Sequence, residues 1–266
     1  PNPRQRLIHV HPDPNELGRV HRADMALAAP VTDVLSDLAA NAVPLVNSRI
    51  WSSEARADYD VWQSPQPSPG ALQQEAIVAW LSENLPTDAI LTNGAGNYAA
   101  WLHRYFRFKR YGTQLAPTSG SMGYGLPAAI AAKLEHPERV VVCLAGDGCL
   151  QMTVNELSTA TQYGAVVIVL AFNNGQYGTI RAHQERTYPN RVSGTEMFVP
   201  DLPALARAYG GWGATVTRNH DFPDAFAEAQ SKGTLTVLDL RVDPQALSPT
   251  MTLDQAREIG QECGAD

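Results

Sequence analysis

Two apolar runs dominate the hydropathy pattern. Residues 140–145 read VVVCLA and residues 166–172 read VVIVLAF, with helix-type spacing of apolar positions over 153–163 between them. Strand, crossover helix and second strand at this length form a βαβ unit. Such crossovers are right-handed and return the chain parallel to its start. The first run ends in Gly146-Asp147-Gly148 and the second in Asn173-Asn174-Gly175. Both turns are therefore expected at the carboxyl edge of one sheet, where open α/β sheets bind ligands.

The same grammar continues on either side. Apolar spacing over 71–85 predicts a helix stopped by Pro86, and a short buried strand follows at 89–91. A buried helix is expected over 126–134, entered through Pro127. Further on, helices are expected at 200–209 and 221–230, strands at 213–217 and 235–242, and a short polar terminal helix at 252–261. Asp239 and Arg241 read as edge or strand-end residues. The fold class is a doubly wound α/β domain with a mostly parallel sheet. Near the start, a strand opening at Arg6 and an amphipathic helix over 31–40 make too little to bury a core of their own. They read as the tail end (1–41) of a domain whose body lies upstream, with a short extension docked on the main domain as the alternative. Pro44, Pro65, Pro67, Pro69 and Gly70 mark 42–70 as a linker with Trp51 and Trp62 as anchors. The main domain is expected over 71–250 and a tail or lid over 251–266.

Composition narrows the function classes. Lys and Arg total 20 against 27 Asp and Glu, a net charge of −7. This argues against non-specific nucleic-acid binding, which needs a basic face. The basic group Arg104, Arg107, Lys109 and Arg110 reads as a solvated helix face, with an anion site or subunit contact as the alternative. Cys143, Cys149 and Cys263 have neither metal nor disulfide spacing, which suits a reducing cytoplasm. No apolar run reaches the length of a membrane span, and no signal peptide is visible.

The candidate chemistry lies in the two turns. Asp147 offers an anionic oxygen and Asn174 a neutral one, both hard ligands of the kind Mg²⁺ takes alongside phosphate and water. Gly146 and Gly148 allow the backbone close to a bulky anion. Each turn alone is ordinary Gly/Asp/Asn turn chemistry. Capping successive buried strands on one edge, they point to a diphosphate held through a metal.

These residues also carry a family resemblance. Gly146-Asp147-Gly148, then 24 residues, then Asn173-Asn174, resembles the fingerprint of thiamine diphosphate-dependent enzymes. Residues 117–129 (PTSGSMGYGLPAA) and 92–101 (TNGAGNYAAW) are similar to the segments that support the thiazolium and meet the diphosphate in the acetolactate synthase branch. The resemblance covers most of 71–245, the diphosphate-binding domain of that family. It implies that Gly120 accepts from the cofactor's 4′-amino group through its carbonyl. Met122 would wedge the cofactor into its bent shape, and these two residues would carry the catalytic contribution. It places Asn97, Tyr98, Cys149, Tyr177 and Gly178 at the cofactor beside Gly146, Asp147 and Gly148. The metal set becomes Asp147, Asn174 and the Gln176 carbonyl. Tyr98 departs from the histidine of acetolactate synthases, and no Trp follows the Asn pair before Gly211. Ile180 stands where simple pyruvate decarboxylases have a proton-delivering glutamate, which leans toward carboligation. The 183–186 run reads as a substrate entrance or a polar loop. The implied enzyme acts on a 2-oxo acid with Mg²⁺, leaves FAD in the intact enzyme open, and works as a homo-oligomer. Its pyrimidine-binding domain and activating glutamate come from another subunit, so this chain alone is expected to be inactive. A benzoylformate-type decarboxylase and a non-catalytic binding module are the alternatives.

Overall fold

The computed structural model describes residues 4–43 and 48–263. The chain divides into two compact units, 1–59 and 60–266. In the first, β1 (Ile8–His11) and β2 (Met25–Ala28) pair in parallel, Ile8 opposite Met25 and His11 opposite Ala28. Their crossover carries a single 3-10 turn, Pro14–Glu16, capped by the Asp13 carboxylate on the Asn15 amide. Helix α1 (Val31–Ala40) follows with Val31, Leu35 and Leu38 exposed. The second strand of this pair was not foreseen in the sequence. Helix α2 (Ser48–Trp62) occupies the stretch whose prolines suggested a linker. Its composition hides it because the prolines cluster on either side, at Pro44 and from Pro65 onward.

The second unit is built on a six-stranded parallel sheet. In chain order come α3 (Gln74–Asn84), β3 (Ile90–Asn93), α4 (Ala99–Tyr105), β4 (Gln114–Leu115), α5 (Gly125–Glu135) and β5 (Val141–Gly146). There follow α6 (Asp147–Gln151), α7 (Glu156–Gln162), β6 (Ile168–Asn173), α8 (Gly178–Thr187), α9 (Leu202–Ala208) and β7 (Trp212–Val216). The unit closes with α10 (Phe222–Ser231), β8 (Thr236–Arg241), β9 (Ala246–Ser248), β10 (Met251–Thr252) and α11 (Leu253–Cys263). The sheet order is β4-β3-β5-β6-β8-β7, and every pairing is parallel.

Strand alternation sorts the core into two layers. Val142 and Leu144 join Leu81, Trp101, Leu102 and Phe226 on the face covered by α3, α4 and α10. Val141, Cys143 and Ala145 join Leu126, Leu157 and Ala206 on the face covered by α5, α7 and α9. Central strands buried on both faces read as unbroken apolar runs, which is why β5 and β6 stand out in the sequence. Asp239 is not a strand-end residue. It lies fully buried within β8, which inserts between β6 and β7. Its carboxylate accepts from Asn173 Nδ2 at 2.8 Å and pairs with Arg241 at 2.7 Å.

The terminal helix is packed on α8. Ala182, Leu247, Leu253 and Ala256 form a small core between them. Glu185, buried on α8, accepts from Arg181, from Arg257 of α11 and from the Asn190 amide. The Arg257 bond, with the others, holds its carboxyl down at about 2. A Cβ at Gly260 would collide with the carbonyls of Glu185 and Arg186, so α11 approaches α8 at backbone distance. No described helix is long and apolar enough to cross a membrane.

Candidate active site

Connections from β3 lead to one side of the sheet, toward β4, and those from β5 lead to the other, toward β6. The strand order therefore reverses between β3 and β5, and a crevice opens beyond their carboxyl ends. A cavity of about 270 Å³ lies there. It is lined from the loop after β3 by Asn97 and Tyr98, from the next turn by Gly120 and Met122, and after β5 by Gly146, Asp147, Gly148 and Cys149. The segment after β6 adds Asn174, Gln176, Tyr177 and Gly178. All twelve residues that the sequence marked thus share one cavity.

Asp147 and Asn174 meet as their adjacent strands require. Asp147 begins α6 directly at the end of β5, and its Oδ1 accepts from the Gly148 amide at 2.7 Å. Its Oδ2 accepts from the amides of Asn174 at 3.1 Å and Gly175 at 2.7 Å. Asn174 Oδ1 accepts from the Gln176 amide at 3.2 Å. Among the described residues no Lys, Arg or His pairs with Asp147. Burial pushes its carboxyl up from the ordinary range, while the three amides pull the other way. The Gln176 side chain donates to the Pro244 carbonyl, tying this loop to the segment after β8.

The glycines around Asp147 are closely packed by aromatic rings. A Cβ at Gly148 would lie 2.8 Å from the Tyr177 ring, and one at Gly146 would lie 3.0 Å from the Tyr98 ring. At Gly123, φ is +82° and a Cβ would sit 2.9 Å from Met152, so the turn carrying Met122 requires glycine.

Tyr98 acts as a strut. Its hydroxyl accepts from the Gly94 amide at 2.9 Å and donates to Cys149 Sγ at 3.3 Å, and the Gly123 amide donates to the same sulfur at 3.2 Å. Burial raises the Tyr98 phenol well above its ordinary value, so it stays a donor. Three cavity loops are joined through this pair. Asn97 Oδ1 accepts from Thr179 Oγ1 at 2.8 Å, which leaves its Nδ2 end as the donor. Of the basic group only Arg104 lies on α4, and it is buried with its guanidinium over the Trp62 ring; Arg107, Lys109 and Arg110 are exposed but follow the helix, and Lys109 donates to the Ser82 carbonyl.

Ten lining residues escaped the sequence-based set: Gln74, Ala95, Gly96, Trp101, Phe172, Thr179, Ile180, Val242, Ala246 and Leu247. Ala95, Gly96 and Trp101 lie within the 92–101 segment, and Ile180 had drawn notice through its place in the family pattern, but none was named as a cofactor contact. Val242, Ala246 and Leu247 follow β8, and their arrival depends on its insertion beside β6. The 183–186 run is part of helix α8, not a loop.

A family description, thiamine pyrophosphate enzyme, C-terminal TPP binding domain, matches residues 94–240. The chain belongs to the thiamine pyrophosphate enzymes. The matched range spans the sheet from the end of β3 to β8, so the doubly wound sheet described above is the TPP-binding fold of that family. Among its relatives is the acetolactate synthase large subunit of Parasynechococcus marenigrum (strain WH8102), 32% identical over 253 residues, covering 90% of this chain and 40% of that protein. The acetolactate synthase isozyme 3 large subunit of Escherichia coli (strain K12) is 28% identical over 257 residues, covering 91% and 44%. Among solved structures, the Rhodococcus jostii RHA1 thiamine diphosphate-dependent 4-hydroxybenzoylformate decarboxylase superposes with a TM-score of 0.72 at 29% identity. That match covers 90% of this chain and 44% of the other. The chain thus spans less than half the length of these relatives.

Proposed function

We propose that the cavity holds the diphosphate of thiamine diphosphate through Mg²⁺, as half of the active site of a 2-oxo acid decarboxylase or carboligase of the acetolactate synthase type. The observation that carries this reading is the buried Asp147 carboxylate, unpaired with any described base and joined to Asn174 at one rim. A buried carboxylate without a cation is costly, and a divalent ion beside it offsets that cost. Among the described residues no three His, Cys, Asp or Glu side chains converge on a metal. A Mg²⁺ site here rests on one carboxylate, the Asn174 amide oxygen and the Gln176 carbonyl, with phosphate and water completing the shell.

Thiamine diphosphate, when bound, supplies the carbanion-stabilising chemistry that 2-oxo acid decarboxylation requires. This chain's residues bind and orient it. Glycine at 146 and 148 lets the Tyr98 and Tyr177 rings pack against the backbone of the Asp147 turn, and Asn97 Nδ2 donates to the phosphates. Met122, half-exposed in the cavity, supports the rings, with the Gly120 carbonyl as the acceptor beside it. A pyrimidine-binding domain from another subunit contributes the remaining half and its glutamate, so this chain alone binds without turnover.

Ile180 lines the cavity and can neither give nor take a proton, which favours joining the decarboxylated fragment to a second carbonyl. The likeness to the 4-hydroxybenzoylformate decarboxylase supports a second reading, decarboxylation of an aryl 2-oxo acid. Product analysis of the intact enzyme separates them. Acetolactate from pyruvate supports carboligation; aldehyde alone from an aryl 2-oxo acid supports the second reading. Absence of both products with either substrate contradicts both.

A further inference from the structure

Two limbs of the cavity are anchored differently. The Asp147 turn is supported from within: its carboxylate is held by the amides of Gly148, Asn174 and Gly175. The limb that carries Gly120 and Met122 has no such support. Residues 118–122 are exposed, and among the described residues no hydrogen bond ties them to the rest of the unit. The Ser119 and Ser121 hydroxyls bond each other at 2.9 Å. Gly120 takes a φ of +68° with open space where a Cβ would be.

This limb meets the fold at Gly123, which is buried and fixed at both backbone groups. Its amide donates to Cys149 Sγ at 3.2 Å, and its carbonyl accepts from Thr153 Oγ1 at 2.8 Å. Cys149 lies in α6, and Thr153 follows two residues after its end. The sulfur is held in turn by the Tyr98 hydroxyl, which is itself bonded to the Gly94 amide. Thr153 lies outside the cavity lining. A turn with a free tip takes its direction from its base. Rotation about the backbone of Gly123, where no Cβ restricts it, would swing Met122 across the cavity. A hydrogen bond on each side of Gly123 opposes that rotation.

We infer that Thr153 and the Tyr98–Cys149 pair are positioning residues that fix the Met122 turn. They govern how the ring-bearing part of the cofactor is held and leave the grip on its diphosphate to Asp147 and Asn174. The inference rests on the cofactor reading above and deepens it.

The test measures, by calorimetry with Mg²⁺, the binding of thiamine diphosphate and of inorganic pyrophosphate, which has the phosphates without the rings. The parent chain is compared with Thr153→Val, Thr153→Ser and Tyr98→Phe. Thr153→Val keeps the volume and removes the hydroxyl. It is expected to bind thiamine diphosphate about fivefold more weakly, the size of one neutral hydrogen bond, with pyrophosphate affinity unchanged. Tyr98→Phe keeps the ring beside Gly146 and is expected to shift the same way. Thr153→Ser keeps the hydroxyl and is expected to match the parent. Equal weakening of both ligands makes these residues general supports of the fold and overturns the inference. Unchanged thiamine diphosphate affinity in Thr153→Val also overturns it. Weakening in Thr153→Ser equal to that in Thr153→Val assigns the effect to packing and overturns it too. Melting followed by circular dichroism shows which variants fold; should Thr153→Val not fold, Tyr98→Phe decides by the same comparison of ligands. A parent that binds neither ligand with Mg²⁺ removes the cofactor reading and this inference with it. A parent that binds both, with variants that match it, removes this inference alone.

Discussion

The segment 4–59 and the unit from residue 60 onward use the same vocabulary and reach opposite results. Each has parallel strands joined by crossovers, and each has helices with an apolar stripe. In the first, no described residue is buried, and Leu35 and Leu38 of α1 are more than half exposed. In the second, β5 and β6 are covered on both faces, and side chains as large as Trp101 and Phe226 are almost wholly enclosed. Periodicity writes the element, but burial needs a second layer. Two strands, α1 and most of α2 within the first segment supply none, whereas six strands between two helical layers supply it twice. Chemistry follows the same division, because a carboxylate such as Asp147 can be held buried only where surrounding amides are already fixed.

The largest effect should come from the covered unit. Phe226→Ala is expected to cost about 3–5 kcal/mol of unfolding free energy in urea, as for other enclosed aromatic truncations. A loss below about 1 kcal/mol would mean that the α10 layer is loosely packed and would erase the contrast.

The next effect isolates a polar device in the same unit. Glu185→Gln should lower stability near neutral pH by about 2 kcal/mol, the scale of a charge-assisted hydrogen bond. The folded carboxyl sits at about 2 against an ordinary 4.5. A lowered folded value stabilises the chain fully above about pH 4.5 and loses that contribution as pH falls toward 2. The gap between parent and variant should therefore close on acidification. A gap independent of pH would contradict the ion-pair origin.

The smallest effect belongs to the open segment. Leu35→Ala, on the exposed stripe of α1, should change stability by no more than about 0.5 kcal/mol. A loss near that of Phe226→Ala would show that the stripe is covered in solution, and the comparison would break.

Legibility in the sequence followed the same physics. β5 and β6 announced themselves because both faces are apolar, and their shared edge brought the GDG and NNG turns together as expected. Helix α8 did not, since its buried side is Ala182 and Glu185, and an ion pair leaves no hydropathy signal. Helix α6 hid inside the GDG turn because it starts on the glycine-flanked Asp147 itself, and the stretch expected as one helix over 153–163 is helical only from Glu156. β4, β9 and β10 are two or three residues long, too short for any period. Asp239 looked like a strand end because an acid rarely sits in a central strand; its partner Asn173 is 66 residues away, beyond local reading. Gln74 and the wall formed by Val242 and Leu247 depend on strand order, which emerges only from long-range packing.

The most direct test of the central claim is calorimetric titration with thiamine diphosphate, with and without Mg²⁺, of the parent and of Asp147→Ala. Asp147→Asn serves as a variant that keeps an acceptor for the Gly175 amide. Binding that requires Mg²⁺ in the parent, and that weakens by at least about a hundredfold in both variants, is the predicted result, since supporting residues alone cost 10–100-fold. Equal affinity in parent and variants, or parent affinity indifferent to Mg²⁺, would contradict the joint grip of Asp147 and Asn174 on a metal-bound diphosphate.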